Sequence, residues 1–198
     1  MGQPKLLLDL AGRTVIARVI EALRNSGISR CLVVVRRDDS DLIREVTAAG
    51  GEVVLPETDP ADMRASVEWG LRGISPALPT TSNSRIPTPC DGWLLVPADH
   101  PTLNPGLVRD LIAAWRTSPT QIAVPVFEGQ RGHPTIFPWS LAEEVFRLPP
   151  QLGLNSVVRS DPDRIHEVAT ADPHVLDDLD TPEDLLRLRA ELESRPVE

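Results

Sequence analysis

The sequence predicts an α/β protein built on a mostly parallel sheet with helices on both faces, a three-layer α/β/α sandwich. Two patterns carry that expectation. Short apolar runs such as Cys31-Leu32-Val33-Val34-Val35 and Trp93-Leu94-Leu95-Val96 lack polar alternation, as strands covered on both faces do. Between such runs lie segments with apolar residues at helical spacing, so strand and helix alternate along most of the chain. The 198 residues suit a single domain, 1–198, with a sizeable core.

Taken in order, Lys5 stands before the apolar run Leu6-Leu7-Leu8, with no strand ahead of it. Residues 14–26 carry Val15, Ile16, Val19, Ile20 and Leu23 on one helical face, with Thr14 as N-cap and Gly27 as the stop. Residues 31–35 read as a buried strand, 38–49 as a helix ended by Gly50-Gly51, and 52–55 as a short strand. Asp59-Pro60-Ala61-Asp62 offers an N-cap, a proline at the first helical position and an acid three residues after the cap. The helix it starts runs to about Gly73, with Met63, Ser66, Val67 and Gly70 on one face. Residues 74–91, rich in Pro, Ser and Thr, read as a surface loop.

After the strand at 93–96, Asn104-Pro105 caps a helix with Leu107, Val108, Leu111, Ile112 and Trp115 inward. A strand at 121–126, a polar turn at 128–132 and a short strand at 134–138 make a hairpin-like excursion. Short helices follow at 139–147 and 154–159, and 164–169 reads as the last strand. Thr181-Pro182-Glu183-Asp184 is a capping box for a closing helix striped by Leu185, Leu186, Leu188 and Leu192.

A formal charge of -9 argues against a general nucleic-acid binder, which draws its affinity from Lys and Arg on phosphates. It does not argue against a nucleotide, whose phosphates need only a few amides, a lysine and a metal ion. No apolar run approaches the roughly 20 residues of a membrane span, and no basic-then-apolar leader opens the chain. The expectation is a cytoplasmic protein without nucleic-acid or membrane partners. Cys31 and Cys90 show no pairing or zinc spacing, and Cys31 reads as a small buried hydrophobe.

Several residues have both a functional and a structural explanation. Pro97 should end regular pairing, which leaves Asp99 just past the carboxyl end of its strand, where open α/β sheets bind ligands. A carboxylate there suits a hard cation such as Mg2+, and equally suits a turn. Asp180 lies just ahead of a helix N-terminus, where acids are favoured in any case. It gains a role only if it converges with Asp99 on one ion. Lys5 is a surface charge, Ser66 a packing residue and His133 a turn residue on local grounds alone.

Together these residues carry a resemblance. Met1-Gly2-Gln3-Pro4-Lys5-Leu6-Leu7-Leu8, with Gly12 and Thr14-Val15-Ile16, resembles the latter part of the N-terminal signature of the molybdenum cofactor cytidylyltransferases, within the MobA-like nucleotidyltransferase superfamily. Pro97-Ala98-Asp99-His100-Pro101 resembles that family's metal-binding motif, and Met63-Arg64-Ala65-Ser66 with Gly70-Leu71 its helix beside the nucleotide. Gly132-His133-Pro134 resembles its substrate-side turn and Asp178-Leu179-Asp180-Thr181-Pro182-Glu183-Asp184 its C-terminal signature. Pro4 ahead of Lys5 resembles the cytidylyl rather than the guanylyl branch.

The resemblance implies a Rossmann-like nucleotidyltransferase (GT-A-like) fold. It implies transfer of a nucleoside monophosphate, CMP from CTP or another NTP, onto a phosphorylated, molybdopterin-type acceptor, with Mg2+ or Mn2+ as cofactor. Asp99 and Asp180 would hold the metal, Lys5 would face the triphosphate, and Gly2, Ser66 and His133 would contact nucleotide or acceptor. A molybdoenzyme or its chaperone would be the further partner. Met1 falls on an internal methionine of the family signature, so the first strand and most of the glycine-rich loop are expected to be missing from this stretch, through a start set late. The alternative is a pterin-cofactor binding and delivery protein without nucleotide chemistry.

Overall fold

In a computed structural model, residues 4–75, 90–149 and 151–194 are described. A 3-10 turn at Lys5–Leu7 leads into a small ladder of β1 (Asp9–Leu10) and β2 (Arg13–Thr14), then α1 (Val15–Asn25). Next come β3 (Leu32–Val34), α2 (Ser40–Ala48), β4 (Glu52–Val54), α3 (Met63–Ile74), β5 (Gly92–Leu95) and α4 (Pro105–Trp115). The remainder is β6 (Ile122–Phe127), β7 (Gln130–Arg131), β8 (Thr135–Pro138), α5 (Ala142–Arg147), α6 (Asn155–Arg159), β9 (Ile165–Ala169), a 3-10 turn at Pro173–Leu176 and α7 (Pro182–Ser194).

The expected α/β class and Rossmann-like layering hold, and the pairing is mixed. β3 with β4 and β6 with β9 are parallel, whereas the excursion inserts β8 antiparallel between β5 and β6. Glu128 and Gly129, both at positive φ, turn the chain from β6 into β7. The two faces alternate as a doubly covered sheet requires. Trp93, Ile122, Val124 and Phe137 pack with Leu71, Val145 and Val157 on one side, and Ala123 and Ile136 with Leu111 and Trp115 on the other. Trp93 and Phe137, cross-strand neighbours, stack with ring centroids 4.3 Å apart.

Some local expectations are corrected. Asp62, not Asp59, caps α3, because its Oδ1 accepts the Ala65 amide at 2.8 Å. Met63 then falls on the outside, 63% exposed, and Val67, Leu71 and Ile74 face the core. Leu186 is likewise exposed, while Leu188 is buried and Leu185 and Leu192 pack beside it. Cys31 and the β3 residues are only half-buried, as are Leu94 and Leu95 of β5. Among the described residues β3 pairs only with β4, and β5 only with β8, so one edge of each lacks a neighbour. The 74–91 loop lies mostly outside the described residues, and no described helix is long and apolar enough to cross a membrane.

The turn between β7 and β8 packs against the Pro173–Leu176 turn, and the His133 amide donates to the Val175 carbonyl at 2.8 Å. A Cβ on Gly132 would stand 2.2 Å from that same oxygen, and backbone cannot give way as a side chain does. Gly132→Ala should therefore destabilise the protein by about 1–3 kcal/mol, read as a lower urea midpoint at unchanged slope.

Candidate functional site

Three segments meet beyond the carboxyl end of β5. Regular pairing ends at Leu95, and the chain then carries Asp99 out of the sheet. Lys5 lies in the opening 3-10 turn, fixed by Leu6 and Leu7, which pack with Val35 and Ala98. Asp180 arrives from far along the chain. Its neighbour Leu179 is fully buried with Leu8, Leu10, Val15 and Leu188, so the alternating Asp178-Leu179-Asp180 run turns both acids outward. Behind it the capping box forms as the sequence predicts. The Thr181 amide donates to Asp184 Oδ2 at 2.9 Å, and the Asp184 amide donates back to Thr181 Oγ1 at 3.1 Å.

Lys5 Nζ donates to Asp99 Oδ2 and to Asp180 Oδ1, each at 2.7 Å. One ammonium thus bridges two carboxylates 81 positions apart in sequence. Lys5 and Asp99 are about 30% exposed and Asp180 is 65% exposed, so the cluster opens to solvent on the Asp180 side. Burial alone would lower the Lys5 pKa. The hydrogen bonds to Asp180 and Asp99, with their charges, outweigh it and raise the pKa above the ordinary 10.5. Asp178 stands close by, its carboxyl pushed up by burial and by the neighbouring charges of Asp180, Asp184 and Asp99.

His133 is mostly buried, and burial, aided by the nearby His100, pushes its imidazole below the usual 6.5 against the pull of Asp99. Nδ1 of His133 and Nδ1 of His100 are both buried without a partner. Ser66 stays within α3, where its hydroxyl donates to the Asp62 carbonyl at 3.2 Å. Gly2 lies outside the described residues. The structure therefore joins Lys5, Asp99 and Asp180, sets His133 beside them, and leaves Ser66 bonded to its own helix. The groups the sequence reading passed over are Thr102, His174, Asp177 and Arg187, which brace the segments around the cluster. The His174/Asp177 spacing of three residues was the one local hint.

The residues fit a divalent cation. Two carboxylate oxygens already close on a single positive charge, and hard oxygen donors are what Mg2+ and Mn2+ take, with phosphate or water completing the shell. Among the described residues no group of three or more His, Cys, Asp or Glu is arranged to hold a metal. A broad groove of about 1370 Å³ lies elsewhere, at the start of β5, between Gly92, Arg109, Trp115 and Trp139. Neither Lys5, Asp99 nor Asp180 lines it.

Sheet, helices and an acid pair beyond the carboxyl end of β5 define an α/β protein of Rossmann-like layering. The chain belongs to the MobA-like NTP transferase domain family, whose sequence profile matches residues 1–168. A 3-deoxy-manno-octulosonate cytidylyltransferase of Nitrobacter winogradskyi is 30% identical over 119 residues, 60% of this chain and 42% of that protein. The chain thus spans less than half the length of that curated relative. Rv0371c of Mycobacterium tuberculosis superposes with a TM-score of 0.77 at 25% identity, over 96% of this chain and 90% of that one. CMP:2-keto-3-deoxy-manno-octonic acid synthetase, solved with CTP, shares the fold with a TM-score of 0.67 at 18% identity, over 96% and 91%.

The raised Lys5 pKa has a definite sign. The bridge contributes fully to stability below pH 10.5 and is lost as pH rises through the folded-state value. Unfolding free energies of wild type and Lys5→Met, followed through alkaline pH, should converge there; a constant difference would detach the bridge from stability.

Proposed function

We propose that the chain is a metal-dependent nucleotidyltransferase, one domain over 1–198, that moves CMP from CTP onto a phosphorylated acceptor of the molybdopterin type. The observation that carries the reading is the convergence of Asp99 and Asp180 on one cation, Lys5 Nζ, at 2.7 Å each. The cytidylyl donor draws support from the cytidylyltransferase relative and from Pro4 ahead of Lys5.

In this reading Asp99 and Asp180 hold Mg2+ or Mn2+. When bound, the ion screens two anionic reactants and stabilises charge on the departing pyrophosphate. Lys5 turns its ammonium from the carboxylates to the triphosphate as a compact point charge. An acceptor phosphate oxygen attacks the α-phosphorus, the bond to the β-phosphate breaks, and pyrophosphate leaves. No general base is needed, because the attacking oxygen is already ionised at neutral pH. His133, its imidazole pushed below the usual 6.5 by burial, faces the acceptor side, and the first turn of α3 with Ser66 borders the nucleotide.

Pyrophosphate release from CTP in the presence of Mg2+ and a molybdopterin acceptor tests the assignment. Asp99→Asn should lower turnover at least about a hundredfold, the loss of several kcal/mol of charge stabilisation. Unchanged turnover would remove Asp99 from the role. Silence toward CTP with retained pterin binding would favour the delivery protein instead.

A further inference from the structure

Two connecting segments lead to the two carboxylates: 100–104 follows Asp99, and 172–177 runs toward Asp180. Three side-chain rungs tie one to the other. His100 Nε2 donates to the His174 carbonyl. Thr102 Oγ1 donates to Asp177 Oδ2 at 3.1 Å, and Asn104 Nδ2 donates to Asp172 Oδ2 at 3.2 Å. The first two rungs are internal, with His100 1% and Thr102 2% exposed. Buried polar groups held this way resist loosening, since a freed hydroxyl or imidazole finds no water to replace its partner.

Asp177 is the node. Its Oδ2 also lies 2.7 Å from His174 Nδ1, and its Oδ1 accepts from Arg187 Nη1 of α7 at 3.2 Å. The imidazole reaches α7 as well, with Nε2 3.1 Å from Glu191 Oε1. On the far side, Val175 is buried and its carbonyl accepts the His133 amide. The segment before Asp180 is therefore held on three sides, and Thr102 is the side-chain grip nearest to both acids: three residues after Asp99, on a partner three residues before Asp180.

We propose that Thr102 and Asp177 are positioning residues that fix the separation of Asp99 and Asp180, and through it the affinity of the pair for a small divalent ion. The inference rests on the metal reading given above. A two-carboxylate site has few protein ligands to average over errors, and Mg2+-sized ions demand short, near-ideal geometry. Groups that orient the ligands of such a site weigh on metal affinity without touching the metal.

The test is Mn2+ affinity, read by electron paramagnetic resonance with CTP present, alongside CTP affinity in chelator. Thr102→Val removes the hydroxyl at constant shape and should weaken Mn2+ binding about 10–100-fold while metal-free CTP binding and circular dichroism hold. Thr102→Ser, which keeps the donor, should restore wild-type affinity, and Asp177→Asn should reproduce the loss from the opposite segment. Asp180→Ala sets the floor. If it abolishes Mn2+ binding while Thr102→Val and Asp177→Asn leave it unchanged, the positioning role is overturned and the metal site stands. If Thr102→Val loses Mn2+ and metal-free CTP binding together and Ser does not rescue, the contact is merely structural and the proposal falls. Full Mn2+ binding by Asp180→Ala would remove the metal reading itself.

Discussion

The ammonium of Lys5 between Asp99 and Asp180 is the contact on which the arrangement of the rim depends. Two carboxylates brought that near each other repel by about 1 kcal/mol at 4 Å in water and by about 4 kcal/mol where the surroundings respond less. A positive charge between Asp99 and Asp180 offsets that repulsion. Lys5, delivered by a turn whose half-buried leucines pack with Val35 and Ala98, supplies it. The same requirement underlies the proposed metal site, in which a divalent cation would take the place of the ammonium between the two acids.

The two acids reach the rim by different means. Asp99 is carried there by a strand whose register with β8 is fixed from Gly92↔Pro138 to Leu95↔Thr135. Asp180 has no strand behind it and depends on docking. Leu179 supplies the apolar anchor, the Thr181/Asp184 box fixes the helix start, and the bonds from Thr102 and His133 hold the approach. Ordering an irregular segment costs roughly 1–2 kcal/mol per residue in backbone entropy alone, which is why so many separate contacts crowd into so short a stretch.

What the sequence made legible follows the range of the physics behind each signal. Thr14 capping α1, Asn104-Pro105 opening α4 and the box at Thr181 are local, and each appears where the spacing places it. Lys5, Asp99 and Asp180 could be singled out through their family motifs, although their meeting is a property of the fold. Pairing partners were not legible. Nothing in 134–138 says that it slides antiparallel between β5 and β6, and unalternated runs such as Leu32-Val33-Val34 suit full burial whether or not a neighbour covers both edges. The α3 start was misjudged because Asp59 and Asp62 are both good caps, and only the Ala65 amide decides between them. The Thr102–Asp177 tie left no trace, since connecting segments carry no periodicity and a side-chain bond across 75 positions has no local signature.

Composition sharpens the case for Lys5. The chain carries 20 lysine and arginine residues against 29 acids, and of the 20 only Lys5 is lysine. Arginine partners other surface acids, as in Arg30 with Glu52 or Arg131 with Glu167. A planar guanidinium grips one carboxylate well through two parallel bonds, whereas an ammonium directs tetrahedral donors to separate acceptors and can swing on a flexible stem. Bridging single oxygens of two carboxylates, as Lys5 does here, calls for the second kind of cation. In a protein with a net charge of -9, the proposed anionic reactants would depend on local positive charge rather than on the overall field. At this rim that local charge is one lysine together with whatever ion its two acids can hold.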